Sequence, residues 1–479
     1  MNEMLEYLIY NPIKKYGDEH TITVFDDKLY TYGYYLETIN VLEGKFLSIN
    51  ISNEPVILMM DDSPLCIACF LSLISVGAKP LIISPKTIDK TLRKIIENSK
   101  CRFLITDNTV NMTIDIVETH NLYIEDNITL KGLLFEKNKF EISDDIEYLT
   151  LTSGSGGTPK IVMHSSREMN SAIKNYAVST LEITYKDVLF SVPKINFTYG
   201  LANSLFFSFA TGAMAIINRE VPSVCMIDEI IKKYKVTYFF AVPSLYERMM
   251  KVIHTENIRC VKQFISAGEC LPQLLSRNWF ELTGKYIYDS VGCSETGSAY
   301  LFNGNPMEKN GSAGKPVVGY DLKLIGGNAR QGQLIVYGPS NAIGYLNDNE
   351  LTNDKFVKDA IYTGDWFEID EDGFYWFLGR TDDMIKKNGH WVSLNEITNC
   401  AKTIDNICNA VTFVSNNNIV LVVDVDVDAI GNLGTDKIMK YLSLCMEHFK
   451  LPDVIKIGTV PLNLNGKVDL RRVKEKYAN

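Results

Sequence analysis

Several features are missing from this chain of 479 residues, and each absence excludes something. There is no long apolar run. The longest, residues 65–78, contains two serines and falls short of the ~20 residues that span a bilayer. There is no basic run either. Lys and Arg number 48 against 58 Asp and Glu, a net charge of −10, which suits nucleic-acid binding poorly. A small anion remains possible, because a local site does not need a positive whole. The opening residues mix acids with apolar side chains and show no leader pattern, so a cytoplasmic protein without membrane insertion is expected. The six histidines are dispersed, with no HExxH pair, which speaks against a transition-metal enzyme. The ten cysteines show no paired zinc spacing. Cys66 and Cys69 sit inside the apolar run, and the thiols are expected to be core residues in a reducing compartment.

What remains is ordinary globular composition, 46% apolar and 22% charged. At about 150 residues per domain the length suggests two to four domains. From residue 50 onward, apolar runs alternate with amphipathic stretches. Helices are expected over 64–76, 88–99, 226–234 and 243–253. Strands are expected over 80–84, 102–106, 236–241, 263–266 and 286–289. This rhythm predicts an α/β fold with a mostly parallel sheet covered by helices, its ligands beyond the strands' carboxyl ends. Residues 311–378 are punctuated by glycines between short alternating segments, which suggests a small β-barrel-like subdomain. The last hundred residues read as a small α+β domain: strands over 410–414, 419–425 and 454–459, and a helix over 436–449. The expected division is 1–380 and 381–479, with a charged, glycine-containing joint at 381–389.

The strongest local signal is the segment Thr152, Ser153, Gly154, Ser155, Gly156, Gly157, Thr158, Pro159, Lys160. Glycines let backbone N–H groups converge on one point, hydroxyls add donors, and the lysine adds a point charge, which together suit a polyphosphate. It is not a Walker A loop, because Pro159 precedes the lysine and Ile161 follows it. Taken alone it is equally a flexible turn.

Four further motifs follow in order. They are Tyr288, Asp289, Ser290, Val291, Gly292, Cys293, Ser294, Glu295; then Thr363, Gly364, Asp365; then Gly379, Arg380, Thr381, Asp382, Asp383, continuing through Gly389 to Glu396 and Ile397; and last Pro461, Asn463, Gly466, Lys467. Each read singly is a surface turn, a chance tripeptide or a solvated linker. Together the five resemble the adenylate-forming ligases: acyl- and aryl-CoA synthetases, peptide-synthetase adenylation domains and luciferases. The resemblance covers about residues 20–475. It is nearest to the benzoate-type aryl ligases, through Phe190, Lys194 and residues 197–203 and through 311–320. Four positions depart from the family pattern: Gly156 stands for the usual Thr, Ile161 for Gly, Val291 for Tyr, and Asn463 for Thr.

The resemblance implies activation of a carboxylic acid by ATP to acyl-AMP with release of pyrophosphate, then transfer to the thiol of CoA or of a carrier protein's phosphopantetheine. It implies ATP/AMP binding by Thr152, Ser153, Gly154, Ser155, Gly157, Thr158, Lys160, Gly268, Asp289, Ser294, Asp365, Arg380 and Lys467. Glu295 is the implied Mg²⁺ ligand, and Lys467, Glu295 and Lys160 are the implied catalytic groups. Asp382 is the implied hinge of a C-terminal lid, and Gly389 lies where the thiol arm passes. An acid-binding cavity is expected from Phe197, Tyr199, Phe239, Ala241, Ala267, Gly268 and Gly292. Residues 193–201 carry no acid to hold an ammonium group, so an aromatic or other amine-free substrate is favoured over an α-amino acid. The alternatives are an amino-acid-activating enzyme and a non-catalytic ATP-binding regulator that keeps the fold.

Overall fold

The computed structural model describes residues 2–107, 116–125, 128–135, 139–152, 159–387, 390–416, 418–426, 433–461 and 468–478. It divides into two compact units. The first comprises Met1–Leu322 and Val336–Tyr362, the second Lys323–Ile335 and Thr363–Asn479.

Two large sheets form the first unit. The eight-stranded sheet has the order Gly344–Tyr345, Lys160–His164, Tyr148–Thr152, Lys79–Ile83, Pro55–Met59, Phe103–Thr106, Ile128–Phe135, Ile116–Glu125. Its middle strands run parallel and its outer strands antiparallel. The middle strands are buried throughout, as their largely apolar sequences require, with Lys79 and Thr106 the buried polar residues at their ends. Helix Pro64–Ser75 covers them. Ser63 caps it by accepting from the Cys66 N–H at 3.1 Å, and Pro64 takes a first-turn position where no N–H is needed. The helix is apolar all round and buried all round, which is why its sequence resembles a short membrane span. No helix among the described residues is long and apolar enough to cross a membrane.

The nine-stranded sheet has the order Lys315–Pro316, Ala299–Phe302, Ile287–Gly292, Gln263–Ser266, Tyr238–Ala241, Val188–Ser191, Met214–Ile216, Thr21–Phe25, Lys28–Thr31. Its inner strands are parallel. One face packs Phe190, Phe239, Phe264, Tyr246 and Trp279 into a buried aromatic cluster, with ring pairs edge-on at 5.1–6.2 Å. Helices Val224–Tyr234 and Gln273–Thr283 each present a buried stripe to the core, Ile227 and Ile231 in one, Ser276 and Trp279 in the other.

Strands Asp321–Ile325, Gln331–Tyr337 and Ala360–Ile369, whose larger parts belong to the second unit, lie side by side, and Tyr375–Arg380 pairs antiparallel with the last of these. A hairpin, Met384–Lys387 with His390–Ser393, leads into helix Leu394–Lys402, capped by Ser393. Strands Ile407–Ser415, Asn418–Val425 and Val454–Ile457 form a small sheet packed against this helix and helix Thr435–Cys445. Residue 380, the division expected from sequence, falls inside this unit.

The predicted α/β rhythm is present, with bounds displaced by a residue or two in most elements. Helix Pro243–Met249 stops four residues early, where Val252 and Ile253 N–H groups both turn back to the Met249 carbonyl. Helix Thr435–Cys445 likewise ends before the predicted 449. The long hairpin Ile116–Glu125 with Ile128–Phe135 went unpredicted, because its sequence alternates weakly and carries several polar residues. The expectation that the thiols are core residues needs correcting: Cys66, Cys69 and Cys101 are buried, but Cys225, Cys270, Cys408 and Cys445 are exposed.

Candidate active site

The predicted site residues fall into both units. In the first, the phosphate-type loop links Tyr148–Thr152 to Lys160–His164, and Thr152 faces Lys160 in the last rung of that pairing. Ser153, Gly154, Ser155, Gly157 and Thr158 lie outside the described residues. The flanks are firmly held. His164 is fully buried, stacked on Tyr148 at 4.7 Å, and shares a 2.9 Å hydrogen bond with Thr150 Oγ1. Burial pushes its imidazole down to about 3, so it is a neutral structural group.

Glu295 lies in the short turn Ser294–Thr296 that follows strand Ile287–Gly292. Gly292 makes that turn possible: a Cβ there would meet the Ser298 carbonyl oxygen at 2.5 Å, where Gly292 pairs with Ala299. Ser294 Oγ accepts from Thr198 Oγ1 at 3.3 Å. The Tyr345 hydroxyl donates to Glu295 Oε1 at 2.5 Å, and Lys160 Nζ stands 5.5 Å from the centroid of the Tyr345 ring. Three residues far apart in sequence thus form one ammonium–phenol–carboxylate row.

Asp289 lies within strand Ile287–Gly292, almost fully buried and in register with Ser266 on the next strand. Among the described residues its Oδ1 accepts from the adjacent Ser290 N–H, at 3.1 Å, and burial pushes the carboxyl up to about 7. Among the described residues the buried Ser266 hydroxyl has no hydrogen-bond partner. A donor-bearing heterocycle would satisfy both groups. Gly268 just beyond has a positive φ of 85°, and a Cβ there would come within 3.8 Å of the Val242 side chain.

The expected acid-binding residues do not share one surface. Tyr199 donates to the Ile265 carbonyl at 3.2 Å and sets its ring edge-on against Phe240. Phe239 points the other way, into the aromatic cluster with Phe190 and Tyr246, and Ala241 is buried on that same side. Successive strand residues alternate faces, so the ring beside Tyr199 belongs to Phe240, one position along. Phe197 is 58% exposed, and Ala267 is buried. From outside residues 193–201, Asp62 accepts from the Ile195 N–H and lies 3.6 Å from Lys194 Nζ, and the Asp289 carboxylate lies near enough to Tyr199 to act on its phenol.

In the second unit, Asp365 faces Arg380 across the antiparallel pair, and Arg380 Nη1 donates to Asp365 Oδ1 at 2.6 Å. Thr381 Oγ1 donates to the Gly364 carbonyl at 2.9 Å, so the Gly-Arg and Thr-Gly-Asp motifs are stitched together. Asp382 is exposed in the turn Thr381–Asp383. Lys467 and Gly389 lie outside the described residues.

Among the described residues no group of three or more His, Cys, Asp and Glu side chains could hold a metal ion.

A family model described as AMP-binding enzyme matches residues 11–346. The chain therefore belongs to the AMP-binding enzyme family. It is an AMP-forming acid–thiol ligase, which activates a carboxylic acid with ATP and passes the acyl group to a thiol. It is 28% identical to a 3-hydroxybenzoate–CoA ligase of Aromatoleum sp. (strain CIB) over 88% of this chain and 86% of that one. It is 31% identical to an anthranilate–CoA ligase of Pseudomonas aeruginosa over 71% and 69% of the two chains. Among solved structures, a benzoate CoA ligase from Burkholderia xenovorans LB400 superposes with a TM-score of 0.79 at 23% identity, covering 99% of this chain and all of that one.

Sequence reasoning missed Tyr345. A lone Gly-Tyr in a glycine-punctuated stretch gives no chemical signal. Only the pairing of Gly344–Tyr345 with Lys160–His164 brings the phenol to Glu295.

Proposed function

We propose that the acid is a benzoate-type aryl acid, that the thiol acceptor is CoA, and that Mg²⁺·ATP is the nucleotide. The observation that carries the aryl reading is the state of residues 193–201. They contain no acid, the Asp62 carboxylate hydrogen-bonded to them is engaged by Lys194 and the Ile195 N–H, and Tyr199 and Phe240 offer ring surface. An α-amino acid would need a carboxylate for its ammonium, and a buried charge without a partner is strongly disfavoured. The names of the relatives, hydroxybenzoate–CoA and anthranilate–CoA ligases, support the same choice.

The chemistry follows from the groups present. A carboxylate oxygen attacks the α-phosphorus of ATP and pyrophosphate leaves; a thiol sulfur then attacks the acyl carbon of the mixed anhydride and AMP leaves. The first step gathers negative charge at phosphorus, so catalysis rests on positioning and cations. Lys160 and the backbone of residues 152–158 would cradle phosphate, and Ser294 would add a hydroxyl. Glu295 would hold the Mg²⁺, which neutralises phosphate charge when bound. Asp289 and Gly268 would border the adenine, Asp365 would accept from the ribose hydroxyls, and Arg380 would turn to ribose or phosphate. We extend the proposal to residues 381–479 as a lid swinging about Asp382, with Lys467 serving adenylation and Gly389 bordering the thiol path in thioester formation. Its support is the series of motif residues between Gly379 and Ile397 and the exposed position of Asp382.

An ATP–pyrophosphate exchange screen over benzoates, hydroxybenzoates, anthranilate, alkanoates and α-amino acids tests the reading, followed by thioester mass with CoA and with a phosphopantetheinylated carrier. Exchange with benzoates and a CoA adduct are expected. Exchange confined to α-amino acids would overturn the aryl assignment, and a carrier adduct without a CoA adduct would overturn the acceptor.

A further inference from the structure

We propose that Tyr345 is a positioning residue for the nucleotide-bound cation: its hydroxyl fixes the Glu295 carboxylate for metal binding while its ring carries Lys160. The inference rests on the reading of Glu295 as the cation ligand and names a residue that reading does not contain.

Four observations build the arrangement. The Tyr345 hydroxyl donates to Glu295 Oε1 at 2.5 Å, which settles the side-chain torsion of the carboxylate. The Tyr345 ring is itself immobilised. It is buried, Phe356 packs edge-on against it at 5.5 Å, and its own N–H is held by Thr352 Oγ1 at 2.9 Å. The backbone on either side is clamped to the two segments that carry the partners. The Ala342 N–H donates to the Glu295 carbonyl at 2.9 Å, and the Leu346 N–H donates to the Ile161 carbonyl at 2.8 Å, one residue from Lys160. Gly344 allows this, since a Cβ there would meet the Thr352 side chain at 2.6 Å. Last, Lys160 Nζ lies 5.5 Å from the ring centroid, so one ring orients the ammonium through its face and the carboxylate through its hydroxyl.

The physical consequence concerns preorganisation. A glutamate has three side-chain torsions and, half-exposed, would otherwise sample many carboxylate positions. A phenol that cannot move restricts it, and it does so without adding charge that would compete with the cation. A partner of this kind tunes metal affinity through the ligand it holds.

The test is Tyr345→Phe in the full chain. It keeps the ring, its packing and its place beneath Lys160, and removes only the hydroxyl. Binding is measured calorimetrically with Mg²⁺·ATP and with ATP in EDTA, and thermal unfolding is followed alongside. Binding of Mg²⁺·ATP is expected to weaken about 10–100-fold, with metal-free ATP unchanged, the usual effect of losing a partner to a metal ligand. The Mg²⁺ concentration for half-maximal pyrophosphate exchange should rise by the same factor, with the rate recovered at saturating Mg²⁺. In a Glu295→Gln background the substitution should have no further effect. Wild-type Mg²⁺ dependence in Tyr345→Phe would overturn the proposal. So would equal weakening with and without metal, and so would an undiminished effect in the Glu295→Gln background. Absence of exchange with every aryl acid in the wild type would instead count against the proposed substrate, because the binding arm needs no acid.

Discussion

The carboxylates of the two units are held in opposite ways. Glu295 is oriented by a neutral phenol whose own ring and backbone are locked, whereas Asp365 is paired with a cation, Arg380, whose side chain is half-exposed. A neutral, rigid partner leaves the full negative charge available to an incoming cation. A charged, mobile partner neutralises the carboxylate until something replaces it. The first arrangement suits a group that must be ready before the nucleotide arrives. The second suits groups that exchange partners when ribose hydroxyls bind, because a pair of this exposure contributes only about 0–1 kcal/mol and is given up at little cost.

The largest expected effect lies outside both arrangements and tests whether the C-terminal lysine belongs with the prearranged groups or with the exchanging ones. Lys467→Ala should slow acyl-AMP formation by at least about 10²–10³-fold, the scale of losing one charge-stabilising group in a transition state. Thioester formation from supplied acyl-AMP should be spared. Equal loss of both half-reactions, followed by pyrophosphate exchange and by thioester mass, would refute a lid that divides the two steps.

Asp365→Ala should come next. The comparison holds that this carboxylate serves the nucleotide more than the fold, so KM for ATP should rise about 10–100-fold while KM for the acid stays unchanged, in line with two lost hydrogen bonds to a charged acceptor. If the melting temperature falls sharply while KM for ATP holds, the pair is structural and the contrast with Glu295 fails.

Much of this was legible in the sequence, for reasons that differ by element. The parallel strands could be read because burial on both faces demands apolar runs, as in residues 55–59 and 80–83. The family could be read because its motifs restrict residue types at short spacing, as in Ser294-Glu295. Which strand face a residue occupies needs the register itself, and so Phe240, not Phe239, stands against Tyr199. Tyr345 escaped notice because its role exists only through an antiparallel pair linking residues nearly two hundred positions apart. The reach of Asp62 to Ile195 escaped notice for the same reason: it joins the ends of strands from two different sheets.

Asp289 sharpens the comparison from a third direction, since among the described residues its carboxylate is hydrogen-bonded by neither a phenol nor a cation. Its folded carboxyl sits near 7 against 3.8 unfolded, so the native state binds the proton more tightly than the unfolded chain does. Its contribution to stability is fully present below about pH 4 and is lost as pH rises toward 7 and beyond, by an amount on the order of 4 kcal/mol at most. Asp289→Asn should therefore gain stability relative to wild type as pH rises from 5 to 8, read as a widening difference in melting temperature. ATP binding should narrow the gap in the wild type by supplying the missing donor. A gap that does not change with pH would mean the carboxylate is ionised throughout and has a partner in solution.

The smallest expected effect is the most direct probe of exchange. Arg380→Gln removes the charge but keeps a donor at roughly the same reach. Asp365 is also fixed by its own N–H, which donates to Thr363 Oγ1 at 3.0 Å, and by its strand register opposite residue 380. The carboxylate should therefore stay in place without the arginine. Unfolding free energy should change by no more than about 1 kcal/mol despite the 2.6 Å distance, because a half-solvated pair gains little over its two hydrated ions. The nucleotide should notice the loss more than the fold does: KM for ATP should rise several-fold as the cation that moves to ribose or phosphate is lost, and added salt should weaken ATP binding less in the variant than in wild type. A large stability loss with unchanged KM would show that Arg380 stays on Asp365 in the bound state, and the two carboxylates would then differ only in the charge of a permanent partner.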